Sequence, residues 1–97
     1  MNLTAQTRIL ITTPDHPTAV TGTVGGLISH HKRMNPNSVR ALEQRLHDAG
    51  RLPPTPDVRE SALDHNINRL TLEDLEALET GATISLAPTQ SLSLIHI

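Results

Sequence analysis

The central part of the chain repeats apolar residues with the spacing of an amphipathic helix. Positions three and four residues apart are apolar and the residues between them are mostly charged or polar, which predicts one buried face and one solvent face. The buried face consists of Val39, Leu42, Leu46 and Ala49. Asn35 and Pro36 are a favourable N-cap and first helical residue, and Gly50 is a favourable C-terminal cap. Met34 and Val39 stand at the two positions of a hydrophobic staple across this helix start.

The same signals predict two further helices downstream. Thr55 followed by Pro56 predicts a helix start, and the apolar residues after it recur at helical spacing. Its buried face is predicted to be Val58, Ala62, Leu63, Ile67 and Leu70. Thr71 and Asp74 have the spacing of a capping box at the start of the last helix, which Gly81 ends. The inward stripe of that helix is Leu72, Leu75 and Leu78.

Upstream of the central helix, strand and helix signals are combined. Residues 8 to 13 are rich in β-branched side chains and are followed by Pro14, so they are predicted to form a strand. Residues 18 to 26 fit both a returning hairpin strand and the start of a helix. Their glycines weaken either choice, so the sequence does not decide between the two. Residues 27 to 34 are predicted to be helical. The inward face of this helix is Val24, Leu27, Ile28, His31 and Met34.

Together these elements predict a mainly α fold, a small bundle of three to four short helices with a short N-terminal strand or hairpin. At 97 residues the chain is long enough for one core, so residues 1 to 86 are predicted to form a single small helical domain. Residues 83 to 86 fit a further short strand. Residues 87 to 97 are predicted to be a flexible or artefactual tail. Residues 91 to 97 resemble translated sequencing-adaptor DNA, although their alternation also fits an edge strand.

Composition excludes several kinds of site. The chain has no Phe, Tyr or Trp, which removes the stacking surfaces that most RNA-recognition and single-strand-binding modules use. It has no Cys, which excludes disulfides and thiolate zinc sites. No apolar run approaches the ~18 residues of a membrane-spanning helix, and no basic segment leads into an apolar one. A cytoplasmic protein with no membrane partner is therefore expected.

The net charge of −2 conceals an asymmetry along the chain. Residues 1 to 55 hold six Lys and Arg against three Asp and Glu, a balance of +3, and residues 56 to 97 hold two against seven, a balance of −5. Such an asymmetry fits a basic surface for phosphates, and it also fits two halves that attract each other within one fold. The second interpretation is preferred, which predicts ion pairs between the halves.

The ionisable residues do not form a recognisable catalytic or metal pattern. Histidines stand at positions 16, 30, 31, 47, 65 and 96, without an i, i+4 pair on a helix and without a known zinc pattern. Asp15-His16 and Asp64-His65 are neighbours in sequence only, which does not give the geometry of an acid-base pair. Nucleophile-elbow and phosphate-loop motifs are missing from the sequence. Neither enzymatic activity nor a cofactor is expected, and the histidines are expected on the surface.

Two interpretations of function follow. The preferred one is a small non-enzymatic protein-interaction or accessory module, which binds an unknown protein partner or associates with itself, because its apolar stripes are narrow. The alternative is a nucleic-acid-binding protein that uses the basic segment 30 to 51. The residues of that alternative site are His30, His31, Lys32, Arg33, Arg40, Arg45 and Arg51.

Two local patterns bear on the nucleic-acid interpretation. Residues 22 to 28 fit the Gly-x-x-Gly-x-x-Ile loop of KH domains, but a KH loop needs a helix before it and strands after it, and the predicted order here is the reverse. The last predicted helix would be the second helix of a helix-turn-helix, and its acidic residues would repel phosphates. Those residues are Glu73, Asp74, Glu76 and Glu79. Neither pattern indicates a specific nucleic-acid site.

Overall fold

The strands predicted separately at the two ends of the chain join into one sheet. The computed structural model describes residues 2–55 and 59–88. Its elements are β1 (Arg8–Thr12), β2 (Val20–Thr23), α1 (Val24–Met34), α2 (Pro36–Asp48), α3 (Ala62–His65), a 3₁₀ turn (Ile67–Arg69), α4 (Leu72–Leu78) and β3 (Thr83–Leu86). The fold is therefore α+β, and the prediction of a mainly α bundle is wrong.

The sheet has the order β2-β1-β3, with both pairs antiparallel. Ile9 in the central strand lies opposite Gly22 in β2 and opposite Leu86 in β3. The strands at residues 8–12 and 83–86 are thus confirmed, but their pairing crosses almost the whole described chain. Local periodicity carries no information on such a long-range pairing, which is why the sheet was not predicted as a layer of the fold.

The helices cover one face of this sheet. Because side chains alternate along a strand, Ile9 and Ile84 point into the core, where both are buried. The core also takes in apolar side chains from the N-terminal segment and all four α-helices. Its buried members are Leu3, Ile9, Val24, Leu27, Ile28, Val39, Leu42, Leu46, Leu52, Leu63, Leu70, Leu75, Leu78 and Ile84. The opposite face is rich in threonine and has no buried residue.

The ambiguous segment 18–26 contains both of the structures that its sequence fits. Residues up to Thr23 return as a hairpin strand, and helix α1 begins at Val24. Thr23 ends the strand and caps the helix, because its backbone is extended and its hydroxyl accepts a hydrogen bond from the Gly26 N–H at 3.1 Å. The change from strand to helix therefore takes no connecting loop.

The junction between α1 and α2 differs in part from the prediction. Pro36 begins α2 and Gly50 follows its end with a φ of +74°, as the sequence indicated. The side chain of Asn35, however, makes no capping hydrogen bond. Met34 is 64% exposed, so it neither completes the inward face of α1 nor forms a buried staple. Ala49 is also exposed, because α2 ends one residue before it.

The predicted long helix from Thr55 to Leu70 is not formed. Residues 59 and 60 are turn and bend, and Ser61 is the N-cap of a four-residue helix instead, through a capping box with Asp64. A 3₁₀ turn follows before α4. Since a capping box is a strong start signal, its position inside the periodic segment divides that segment in two. Val58, which was assigned to the buried face, lies outside the described residues.

Helix α4 agrees closely with its prediction. Thr71 and Asp74 form the capping box, and Gly81 adopts a φ of +84° shortly after the helix ends. Leu75 and Leu78 are buried and Leu72 is half-buried. In the described parts of the chain, no helix has the length and apolarity needed to cross a bilayer. The proposed tail is described only at Ala87 and Pro88, so its strand interpretation at 91–97 lies outside the described residues.

Candidate functional site

An apolar groove lies between strand β2 and the first turns of helix α1. It encloses about 300 Å³, and most of its wall surface is apolar. Its floor and walls are formed by Ile11, Thr13, His16, Val20, Gly22, Thr23, Gly26, Leu27, His30 and Glu79. We refer to it as the β2 groove. Thr23 ends β2 and is the N-cap of α1, so the strand and the helix diverge from this residue and the groove lies between them.

The β2 groove is open beneath Gly22. A side chain at this position would point to the core face of the sheet, because Gly22 lies opposite the buried Ile9. A Cβ atom built there would have no atom within 4 Å. Val20, the other residue of β2 on this face, is 59% exposed. The described chain therefore leaves apolar surface uncovered at the mouth of the groove.

No described residue pairs with the backbone of β2 on its outer side. Val24 N–H donates to the Thr7 carbonyl at 3.0 Å, which continues the β1–β2 ladder by one pair. In an antiparallel ladder the inward-bonding residues alternate, so Gly22 and Val20 bond to β1 and Thr21 directs its N–H and C=O outward. No strand of the described chain lies on that side of β2. The outer edge thus offers a donor and an acceptor above the groove.

Three of the seven basic-segment residues are paired with carboxylates from the second half of the chain. Arg51 donates to both carboxylate oxygens of Asp74, at 2.9 and 2.8 Å. Lys32 pairs with Asp64, and His31 bonds through Nε2 to Glu79. The attraction between the two oppositely charged halves is therefore confirmed. The side chains of these three residues are therefore engaged in contacts within the fold.

The environment of Asp64 changes its acidity. Burial raises the pKa of this carboxyl. Hydrogen bonds from Lys32 and Ser61, together with the Lys32 charge, lower it by more than burial raises it, so the pKa lies below the ordinary 3.8. The Ser61 hydroxyl donates to Oδ2 of Asp64 at 3.0 Å. A single carboxylate thus closes the capping box of α3 and ties that helix to α1, which is a structural role.

His31 is only 6% exposed, so its predicted place on the inward face of α1 is confirmed, and the general expectation of surface histidines is wrong for this residue. Its Nδ1 is buried and has no hydrogen-bond partner among the described residues. His30, next to it, is exposed and lines the β2 groove. The pair diverges because successive residues of a helix point about 100° apart. Among the described residues, no group of three or more His, Asp or Glu is placed to hold a metal ion.

The remaining basic residues do not share one surface. Arg33, Arg40 and Arg45 are exposed, and no ion pair to a described carboxylate is formed by any of them. Arg40 lines a cleft of about 330 Å³ together with Lys32 and Glu43. Arg45 lines a different cleft, of about 550 Å³, which Arg51, Glu73 and Asp74 also line. Each cleft mixes both signs of charge, so α2 separates the cations instead of gathering them into a ridge.

The residues of the β2 groove were not singled out from the sequence. Two signals point to them in retrospect, namely the strand ambiguity of 18–26 and the lack of any Asp, Glu, Lys or Arg in residues 17–29. The KH-like pattern at 22–28 covers the same residues, but here Gly22 belongs to a strand and Gly25 and Gly26 to a helix. A KH loop is therefore not formed. No protein family, curated protein or solved structure matches the chain.

Proposed function

We propose that this chain is a protein-interaction module that binds an extended segment of a partner by adding it as a strand to β2. The observation that carries the proposal is the outer edge of β2, which no strand in residues 2–55 and 59–88 covers, beside an apolar groove. Strand addition draws affinity from main-chain hydrogen bonds and specificity from pockets for alternate side chains. Thr21 supplies the first, and the space beneath Gly22 supplies the second.

β2 is short, at four residues, but its side chains do not protect its edge, which supports the same function. Proteins usually guard an edge strand with Lys, Pro, an inward charge or a bulge, because an unguarded edge pairs with other chains. Residues 20–23 have none of these side chains, and the ladder from Arg8 to Ile11 pairs residue by residue with β2. An edge of this kind is explained if pairing with another chain is what it does.

Nucleic-acid binding is the competing proposal, and it would rest on His30, Arg33, Arg40 and Arg45. Phosphate binding needs several cations that face one backbone. Arg40 and Arg45 line separate clefts that also contain carboxylates. We therefore rank strand addition first, since its donor, acceptor and pocket lie together at one place.

A peptide-display selection tests the proposal. Random octapeptides are selected on the immobilised protein, and the enriched sequences are then measured against Thr21→Pro and Thr21→Val. Proline removes the outward N–H and also fixes φ, which an edge strand tolerates, so we expect the fold to be kept, whereas valine keeps the N–H and serves as the control. We expect peptides with alternating apolar residues whose affinity falls at least ~10-fold with proline and less than ~2-fold with valine.

The folded state of each variant is checked by far-UV circular dichroism. Val20→Glu is a second blocking variant, because it places a charge at the mouth of the groove on a side chain that is 59% exposed. Selection without enrichment contradicts the proposal. Peptides that bind wild type and both blocking variants equally also contradict it.

A further inference from the structure

We propose that the extended segment that β2 binds is β2 of a second copy of this chain. This inference rests on the proposed function and names its partner. The two strands would pair antiparallel about a twofold axis through Thr21, so that the three-stranded sheet becomes a continuous sheet across two molecules. Such an isologous contact uses the same patch on both copies and closes after two subunits.

The backbone of β2 suits this axis. Thr21 directs both its N–H and its C=O outward, as the ladder with β1 requires. When two copies of Thr21 face each other, each N–H donates to the other carbonyl, and the pair makes two hydrogen bonds. An axis at Gly22 or Val20 would also let Thr21 exchange hydrogen bonds, with Thr23 or Ala19 of the other copy, so the side chains decide between these axes.

The side chains suit the same axis. With Thr21 opposite its own copy, Val20 lies opposite Gly22 of the other molecule, on the face that the helices cover. Val20 is 59% exposed, and the space at Gly22 is empty to 4 Å from a built Cβ. Each copy therefore supplies one apolar side chain and one open position, and each Val20 covers the other copy's groove.

The electrostatics of the edge also favour a second copy. In a twofold contact the same patch of both copies meets, so an edge with a net charge repels its copy. Residues 17–29 contain no Asp, Glu, Lys or Arg, which makes this edge complementary to itself in charge. A heterologous partner would place no such demand on the strand.

The outer edge of β3, the other edge of the sheet among the described strands, is less suited. Residues 83–86 in β3 are also uncharged, but Ile84 is already buried by the core and Leu86 is half-buried. A strand added there would cover little additional apolar surface. Of the two outer strands, β2 is the one beside open apolar surface, at Val20 and the β2 groove.

The size of the contact sets the expected affinity. Five paired residues span about 17 Å, and an interface built on them falls below the roughly 1,200 Å² of standard stable complexes. We therefore expect a weak dimer that dissociates in the micromolar range. Sedimentation equilibrium should show a mass that rises with concentration from the 10.5 kDa of the monomer toward twice that value.

Cysteine cross-linking tests the position of the axis. The chain contains no Cys, so Thr21→Cys introduces a single thiol, and Ser85→Cys places a matched thiol on the same exposed face of the opposite edge strand. Facing residues of a hydrogen-bonded pair have Cα atoms about 5.5 Å apart, within the range of a disulfide. In a glutathione redox buffer we expect Thr21→Cys to form a covalent dimer at an at least ~10-fold lower protein concentration than Ser85→Cys.

The outcomes separate this inference from the proposed function. Equal cross-linking of the two cysteine variants, or a wild-type mass that stays at the monomer value, overturns the dimer. If the Thr21→Pro variant dimerises as strongly as wild type, the contact does not use the β2 edge, and this result overturns the inference as well. If the protein is monomeric while selected peptides bind wild type and not Thr21→Pro, the dimer fails and the interaction function stands; if neither occurs, both fail.

Discussion

Arg51 donates a hydrogen bond to each carboxylate oxygen of Asp74, and this pair connects the end of α2 to the first turn of α4. Asp74 also accepts the Thr71 N–H at 2.9 Å, so its carboxylate closes the capping box of α4 at the same time. The side chain of Asp74 is largely buried, whereas that of Arg51 is 38% exposed. One carboxylate therefore serves both local and tertiary structure.

Replacing Asp74 with alanine should destabilise the fold markedly. The change removes the cap and both Arg51 hydrogen bonds, which together cost about 2–3 kcal/mol. Glu76→Ala is the matched control, since Glu76 lies exposed on the same helix, and its effect should stay within about 0.5 kcal/mol. Urea unfolding is followed by circular dichroism, because the chain has no Trp or Tyr. Equal midpoints for the two variants would show that Arg51 and Asp74 contribute nothing beyond a surface pair.

Acid should weaken the contribution of Asp64 to stability. Its folded pKa lies below 3.8, so the stabilisation is fully present above that value and is lost as pH falls through the folded pKa. The difference in unfolding free energy between wild type and Asp64→Asn should therefore be constant near neutral pH and shrink below 3.8. Urea titrations at several pH values measure it, and a difference that grows on acidification would reverse the sign of the argument.

His31 offers a test of whether its contact with Glu79 or its packing matters more. Leucine at this position fills a similar volume and removes the buried Nδ1 that has no partner, so we expect stability within about 1 kcal/mol of wild type. Alanine leaves a cavity and should cost at least about 2 kcal/mol. If the leucine variant in urea unfolding is as unstable as the alanine variant, the Glu79 bond is the main contribution instead.

Nucleic-acid binding would weaken as the salt concentration rises, but the positions of the cations in the fold do not favour such binding. Since Lys32 and Arg51 are paired internally and Arg40 and Arg45 line separate clefts, micromolar protein should leave labelled duplex DNA unbound even at low salt. Fluorescence anisotropy at rising salt provides the measurement. Binding that weakens steeply with salt and is lost in Arg40→Ala would establish that alternative.

The elements that the sequence predicted well are those whose signals are local. Helix α4 begins with a capping box between Thr71 and Asp74, which are three residues apart, and ends near Gly81. All of its determinants therefore lie within one short segment. The central helix was predicted less completely, since Pro36 and Gly50 stand at its ends as expected but the Asn35 side chain does not cap it. The helix assigned from Thr55 failed because apolar spacing continued across a second start signal at Ser61, and spacing alone does not show where one helix is divided.

The sheet and the groove depend on contacts between distant residues, which is why the sequence did not reveal them. Val20 and Leu27 line the same groove only because the chain turns from strand to helix at Thr23. The charge asymmetry did predict attraction between the halves, but not which partners Lys32 and Arg51 would choose. Partner identity depends on helix orientation, and helix orientation depends on the core.

The central position of β1 has a consequence for how the molecule folds. β1 can form a hairpin with β2 early, since the two are close in sequence, but a lone two-stranded hairpin is at best marginally stable in water. Its second partner, β3, pairs Leu86 with Ile9 across nearly the whole described chain. Closing so long a loop is entropically slow. During synthesis we therefore expect β1 to lack its second partner until β3 has left the ribosome, and an unpaired strand edge can pair with other chains in this interval.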